Sequence, residues 1–300
     1  MIKVSICIPV YEQPENLDKC LNSIFEQSYK DFEVIITDDS KSNDLVKIVN
    51  NYKEKLNIIY FKNSPTKGSP ENWNESLKYA KGKYIKILHH DDYFTSKDSL
   101  KMFVELLENN NDAKIAFCSS RHIDSKGKYL SSHILSDNAM SQIKINPKTL
   151  FFGNLIGAPS VMIYHRDLDL TYDIRMKWFV DIDFYIRLLN DSTFVYTKKE
   201  LISINIGEEE RVTYICENNK IINIYETMIM FEKFNLDFLT IRYKWHFIKL
   251  FSKYNIRNSM DIIDCGYDSV IHNDIKGLYR YINLFSRLYV FIKKIKNAIK

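Results

Sequence analysis

Hydrophobic and polar positions along the first two thirds of the chain follow two alternating patterns. KVSICIPV (3–10), FEVIITDDS (32–40), NIIYFKN (57–63), KYIKILHHDD (83–92) and AKIAFCSSRHID (113–124) are nearly unbroken apolar, β-branched runs that close on a proline or on polar groups. Such runs predict strands buried on both faces. Between them lie segments with apolar residues three and four apart. In ENLDKCLNSIFEQS (15–28), Leu17, Leu21, Ile24 and Phe25 share a face. NDLVKIVNNYKEKL (43–56), PENWNESLKYAKG (70–82) and KDSLKMFVELLENN (97–110) read as further helices, the second with Pro70 near its start and Gly82 as its stop. Strands alternating with helices predict an α/β fold: a mostly parallel, mixed sheet flanked by helices.

The pattern weakens over 126–146, which reads as loop with an edge strand. PKTLFFGNLIGAPSVMIYHRD (147–167) predicts a helix, a glycine-punctuated turn and a strand. WFVDIDFYIRLLN (178–190) predicts a helix with Phe179, Ile182, Ile186 and Leu189 on one face, and FVYTKKELISINI (194–206) a strand. From about Thr213 helical runs dominate. The expected division is therefore 1–212, an α/β domain, and 213–300, a helical C-terminal extension.

Composition narrows the class. The 300 residues are 45% hydrophobic and 27% charged, so a packed core is expected. A net charge of +4 is too small and too evenly spread to suggest nucleic acid. Five scattered cysteines form no CxxC pair, which fits a reducing cytoplasm. No signal peptide and no 18-residue apolar span stand out. At the C-terminus, LYRYINLFSRLYVFIKKIKNAIK (278–300) is a basic, aromatic-rich amphipathic helix. That pattern suits docking on an anionic membrane surface at the inner face of the plasma membrane. A terminal helix packed on the protein gives the same pattern.

Candidate chemistry gathers at strand ends, where open α/β sheets bind ligands. The first strand ends in Pro9, Val10, Tyr11 and Glu12. The second ends in Asp38, Asp39 and Ser40, and the fourth in His90, Asp91 and Asp92. Carboxylates crowded on one rim repel unless a cation or donors separate them. Oxygen ligands facing a diphosphate are a common way to hold Mg²⁺ or Mn²⁺. Each acidic pair taken alone is as well explained as a turn or a helix cap.

Four segments, in order, resemble the glycosyltransferases of family 2, which have the GT-A fold. They are SICIPVYEQPENLDKCLNSIFEQSYKDFEVIITDDS, GSPENWNESLKYAKGKYIKILHHDD, NLIGAPSVMIYHRD and FVDIDFYIRLL, and the likeness covers roughly residues 2–210. The resemblance implies roles. Tyr11 lies against the nucleobase, with Pro9 and Val10 shaping the pocket and Glu12 beside them. Asp39 accepts a hydrogen bond from the base, a uracil in the commonest case, and Asp38 supports it. Asn74 and His90 approach the nucleotide, and Asp91 with Asp92 holds Mn²⁺ or Mg²⁺. Trp73 stands where the family often has an arginine, and His89 replaces the first acid of its metal motif. His89 is expected to alternate to the other face of the sheet. Asp181 is the catalytic base, and Arg187 is a salt-bridge partner within its helix.

The implied activity is inverting, non-processive transfer of a sugar from a nucleotide-diphosphate donor, a UDP-sugar above all. The acceptor is a hydroxyl of a glycan or lipid-linked oligosaccharide in surface polysaccharide, lipopolysaccharide or capsule synthesis. The alternative is a catalytically impaired nucleotide-sugar binder or scaffold of a glycan assembly complex. Residues 9–16 contain no glycine, which argues against a nucleotidylyltransferase or a dinucleotide oxidoreductase.

Overall fold

A computed structural model describes residues 2–206, 216–237 and 240–282. The chain divides into two compact units, Met1–Glu210 and Arg211–Lys300. The segment 207–215, with Glu208, Glu209, Glu210 and Arg211, and most of the basic amphipathic stretch (283–300) lie outside the described residues. Among the described residues no helix is long and apolar enough to cross a membrane.

Nine strands form the sheet of the first unit: β1 (Val4–Val10), β2 (Phe32–Asp38), β3 (Ile58–Lys62), β4 (Tyr84–Ile87), β5 (Asp92–Phe94), β6 (Ala113–Ile123), β7 (Tyr129–His133), β8 (Met162–His165) and β9 (Thr193–Asn205). Their order is β3-β2-β1-β4-β8-β6-β9-β5, with β7 paired to β6. The β3-β2-β1-β4 half is parallel. Antiparallel joins bring in β8, β7 and β5, while β6 and β9 run parallel. The helices are α1 (Pro14–Phe25), α2 (Asp44–Asn50), α3 (Glu71–Lys78), α4 (Ser99–Glu108), α5 (Asp137–Ile145) and α6 (Val180–Asn190).

All seven residues of β1 and of β2 are buried, as their unbroken apolar runs require. In α1 the buried stripe is Leu17, Cys20, Leu21 and Ile24, and Pro14 starts the helix where its missing N–H costs nothing. Gly82 lets the chain after α3 lie flush on β1: a Cβ there would come within 2.5 Å of the Ser5 nitrogen. Three expectations fail. The strand predicted over 83–92 is two strands, β4 and β5, split by a turn in which Asp92 N–H donates to the His89 carbonyl (3.0 Å). Residues 137–145, read as loop, form α5. Ser136 caps it through Ala139 N–H, and its single buried residue, Ile143, leaves no apolar stripe to detect. The helix predicted from Pro147 is a short 3-10 segment, Pro147–Phe152.

Lys86 on β4 is fully buried. Its ammonium group donates to the carbonyls of Ile87 (3.0 Å) and Ser160, and lies 4.8 Å from the Phe103 ring centroid. Burial pulls its pKa down from 10.5 to about 7. The unfolded chain therefore binds the extra proton between these values, and stability falls as pH drops from about 10 to 7. Lys86→Met removes that proton uptake. Relative to the wild type it should gain roughly 3 kcal/mol over that interval, from about 1.4 kcal/mol per pKa unit. Urea unfolding at a series of pH values measures it; a pH-independent difference would mean that the folded protein keeps Lys86 charged.

The second unit holds α7 (Lys220–Lys233), α8 (Ile241–Tyr254) and α9 (Ser259–Ile263). Asn219 caps α7, and Asn258 and Asp261 form a capping box on α9. Phe247 packs edge-on against Phe231 (5.3 Å) and Phe251 (5.5 Å).

Candidate active site

The polar residues at the ends of β1 and β2 are tied into one rim. Pro9 and Val10 are buried in β1, opposite Thr37 and Asp38. Tyr11, the next residue, is 52% exposed and so offers a ring face to solvent. Glu12 and Gln13 turn the chain with positive φ (51° and 57°). The Glu12 amide donates to Ser40 Oγ (2.6 Å), and its carboxylate accepts from Lys41 N–H and Ser42 Oγ. Glu12 therefore joins the two strand ends directly.

Asp38 is wholly buried. Its oxygens accept from Ser40 N–H (2.7 Å), Tyr60 Oη (2.6 Å) and Lys62 Nζ (3.1 Å). Burial, backed by the Asp38 carboxylate, pushes the Tyr60 phenol above its usual value. Asp39 accepts from Asn63 Nδ2 (2.9 Å) and from the amides of Lys67 (2.7 Å) and Gly68 (2.6 Å). Asn63 also donates to Asn72 Oδ1, and Asn72 donates to the carbonyls of Val10 and Thr37. Buried amides thus hold the loop 63–68 over the end of β2. Asn74, expected near the nucleotide, binds both backbone groups of Tyr172 with its amide, accepting from N–H (2.7 Å) and donating to O (2.8 Å).

Beyond β4, His89, Asp91 and Asp92 bring one ligand atom each to within 4.8 Å of one another. His89 therefore turns toward the acids and not to the far side of the sheet. The reason is local: β4 ends at Ile87, so strand alternation no longer sets the direction of residue 89. Its amide donates to Ser160 Oγ (3.0 Å), and its ring lies 4.7 Å from that of Trp73. His90 meets Gln13 Oε1 (3.2 Å) and so reaches the β1 rim. Asp92 is 2% exposed, and Asp91 is more open. The two carboxylates add to burial in raising the Cys20 thiol well above its usual pKa. The donor set (one imidazole, two carboxylates) suits a divalent cation. A cleft of about 450 Å³ opens beside Asp91, lined by Lys19, Asn22, Tyr93, Asp124, Lys126 and Asn205 among others.

An aromatic wall runs from this cluster to α6. Trp73 contacts Tyr172 edge-on (5.0 Å), and Tyr172 stacks on Phe184 (4.2 Å). Sequence reading missed this wall, because Tyr172 lies in a segment without periodicity. Burial raises the Tyr172 phenol well above its usual value, and Asp181, at the start of α6, is a lesser contributor. Asp181 is half-buried, but its Oδ1 is sealed from solvent and has no hydrogen-bond partner. Burial pushes its carboxyl up to about 7. Asp183, two residues on, is wholly buried and paired to Arg187 (2.7 Å), which also donates to the Thr171 carbonyl (2.8 Å). Two acids in one helical turn thus differ: one is locked in an ion pair, the other is held as a weak base.

A family model described as Glycosyl transferase family 2 matches residues 5–172. The chain belongs to glycosyltransferase family 2. Among its relatives is an uncharacterized glycosyltransferase of Methanocaldococcus jannaschii, 31% identical over 227 residues, or 74% of this chain and 77% of that protein. A poly(ribitol-phosphate) beta-glucosyltransferase of Bacillus spizizenii is 34% identical over 115 residues, 37% of this chain but only 18% of its own length. Among solved structures, S. aureus TarS in complex with UDP-GlcNAc superposes with a TM-score of 0.62 at 18% identity. The match covers 84% of this chain and 71% of TarS. A mannosyltransferase of Pyrobaculum calidifontis, in complex with GDP-Man and Mn²⁺, gives 0.53 at 12% identity, covering 93% of this chain and 68% of that one. The mixed sheet flanked by helices is the GT-A fold of this glycosyltransferase family.

Proposed function

We propose that this family 2 glycosyltransferase moves a sugar from a UDP-linked donor to a hydroxyl of a glycan or lipid-linked acceptor, inverting the anomeric centre. Synthesis of a cell-surface glycan, on the cytoplasmic side of the membrane, is the setting this chemistry suits. The observation that carries the reading is Asp181, whose solvent-sealed Oδ1 and raised pKa make it a base matched to neutral pH.

Tyr11 presents the exposed ring on which a base stacks, and Asp39 the carboxylate that reads its edge, with Asp38, Glu12, Pro9 and Val10 fixing the rim. Asn74 acts through Tyr172, by holding the aromatic wall. His90 reaches from the acid cluster to Gln13 and closes the site toward β1. Asp91 and Asp92 would hold Mn²⁺ or Mg²⁺; such an ion, when bound, neutralises charge growing on the leaving diphosphate. Asp181 takes the acceptor hydroxyl proton as that oxygen attacks the anomeric carbon. The bond to the diphosphate breaks on the opposite face. B. spizizenii poly(ribitol-phosphate) beta-glucosyltransferase and TarS with UDP-GlcNAc support a UDP-sugar and a surface polymer as the first substrates to try.

The test is a panel of nucleotide sugars with Mn²⁺ and candidate acceptors, scored by nucleoside diphosphate release and by the anomeric configuration of the product. Turnover of one UDP-sugar with inversion is expected. Retention of configuration, or nucleotide binding without turnover on any glycan or lipid-linked acceptor, overturns the reading; the second result leaves a nucleotide-sugar binder.

A further inference from the structure

His89 occupies the position at which the sequence departs most from the family's acidic metal motif, and the structure turns its side chain into the site. Three observations set its place. Its ligand nitrogen lies within 4.8 Å of the carboxylate oxygens of Asp91 and Asp92. Two donors about 90–110° apart on one cation, with bonds of roughly 2.0–2.2 Å to nitrogen or oxygen, stand about 3–3.5 Å from each other. The cluster therefore closes on an ion by side-chain rotations that draw its ligand atoms together by up to about 1.5 Å. The backbone of residue 89 is fixed at both ends: its amide donates to Ser160 Oγ, and its carbonyl accepts from Asp92 N–H. Ser160 in turn gives its carbonyl to the buried Lys86, so the anchor sits in the core. Finally, the imidazole lies against Trp73, itself braced by Tyr172, which limits the ring's freedom before any ion arrives. The tryptophan that stands in the arginine position thus orients the histidine that stands in the acid position. The two departures from the family pattern act as a pair.

We propose that His89 donates a ring nitrogen to the same cation as Asp91 and Asp92. The result is a mixed nitrogen–oxygen site that selects a transition cation such as Mn²⁺ or Co²⁺ over Mg²⁺. The proposal rests on the reading of Asp91 and Asp92 as the cation site. The selectivity follows from ligand chemistry. Mg²⁺ favours an all-oxygen, octahedral shell and keeps its waters, whereas an imidazole ligand favours first-row transition ions over it, least for Mn²⁺ and more for Co²⁺.

The experiment uses the full chain with UDP and reads binding, with no turnover required. Mn²⁺ is titrated by calorimetry in competition with Mg²⁺, and the Mn²⁺-loaded protein is examined by electron spin echo spectroscopy for coupling to a directly bound ¹⁴N. The wild type is expected to bind Mn²⁺ in preference to Mg²⁺ and to show the imidazole coupling. His89→Ala should lose the coupling and bind Mn²⁺ about 10- to 100-fold more weakly. His89→Asp should restore tight binding without the coupling and with the preference for Mn²⁺ reduced. It keeps the test informative if the alanine variant folds poorly. If Mn²⁺ binds in a manner abolished by Asp91→Ala, yet shows no nitrogen coupling and ignores His89→Ala, the ligand role of His89 is wrong while the cation site stands. If the wild type binds no Mn²⁺ with UDP present, the cation site and the role of His89 fall together.

Discussion

Asp181→Asn should lower kcat by about 10²–10⁴ while leaving UDP binding unchanged, the loss expected when a general base is removed but its shape is kept. The same substitution should make the protein more stable, and this second effect separates a catalytic from a structural role. The folded pKa of Asp181, about 7, lies above its unfolded value near 3.8. Between these values the folded state holds the extra proton, so the contribution of Asp181 to stability is full below pH 4 and is lost as pH rises through about 7. Asparagine is neutral throughout. At pH 8 it should therefore be the more stable variant, by on the order of 2 kcal/mol once the partial exposure of the residue is discounted. Wild-type turnover should rise with pH through the same region, as the carboxylate forms. Calorimetric melting of both proteins at pH 5 and pH 8, beside a pH–rate profile, gives all three readouts. A variant that keeps its turnover would remove Asp181 from the reaction. One that loses turnover and stability together would make it a packing residue.

That double signature is legible only in the folded molecule. The sequence marks Asp181 by its place before the FYIRLL run, but Asp183 has the same chemistry two residues later. Arg187 at i+4 from Asp183 is the one local hint that the second acid is taken. The environment of Asp181 includes Tyr172, nine residues earlier in a stretch without periodicity, and no pattern announces that contact. The strands β1, β2 and β4 were readable because burial on both faces leaves an unbroken apolar run. The break after Ile87 was not, because Leu88 continues the run while the chain is already leaving the sheet. The direction of His89 was lost with it, since counting alternate residues presumes a strand. Asn74 shows what residue type and position leave out: its amide also ties down a backbone 98 residues away. Acidic strand ends could be found from sequence because charge at the end of an apolar run is conspicuous. What each acid binds depends on the loops that fold over it, as 63–68 does over Asp39.

Asp91→Ala should abolish cation-dependent turnover, by about 10³, without destabilising the protein. Charge stabilisation by a bound ion amounts to several kcal/mol of transition-state energy, and about 4 kcal/mol corresponds to that factor. Stability should hold because Asp91 lies at the turn between β4 and β5, partly open to solvent, and its removal relieves repulsion with Asp92. Asp92 offers no such clean separation. It is buried and paired in register with Ile204, so its alanine variant should lose both turnover and melting temperature. The decisive comparison is therefore between Asp91→Ala and wild type stripped of metal by a chelator. If Asp91 acts only through the ion, the two should be equally slow, and chelator should cost the variant nothing further. Losses that add would give Asp91 a second role, in direct contact with the donor. Equal turnover by wild type and variant in Mn²⁺ would show that the acids at the end of β4 belong to the turn alone. The charge on the leaving diphosphate would then have to be met by cationic side chains such as Lys19 and Lys126, which line the neighbouring cleft.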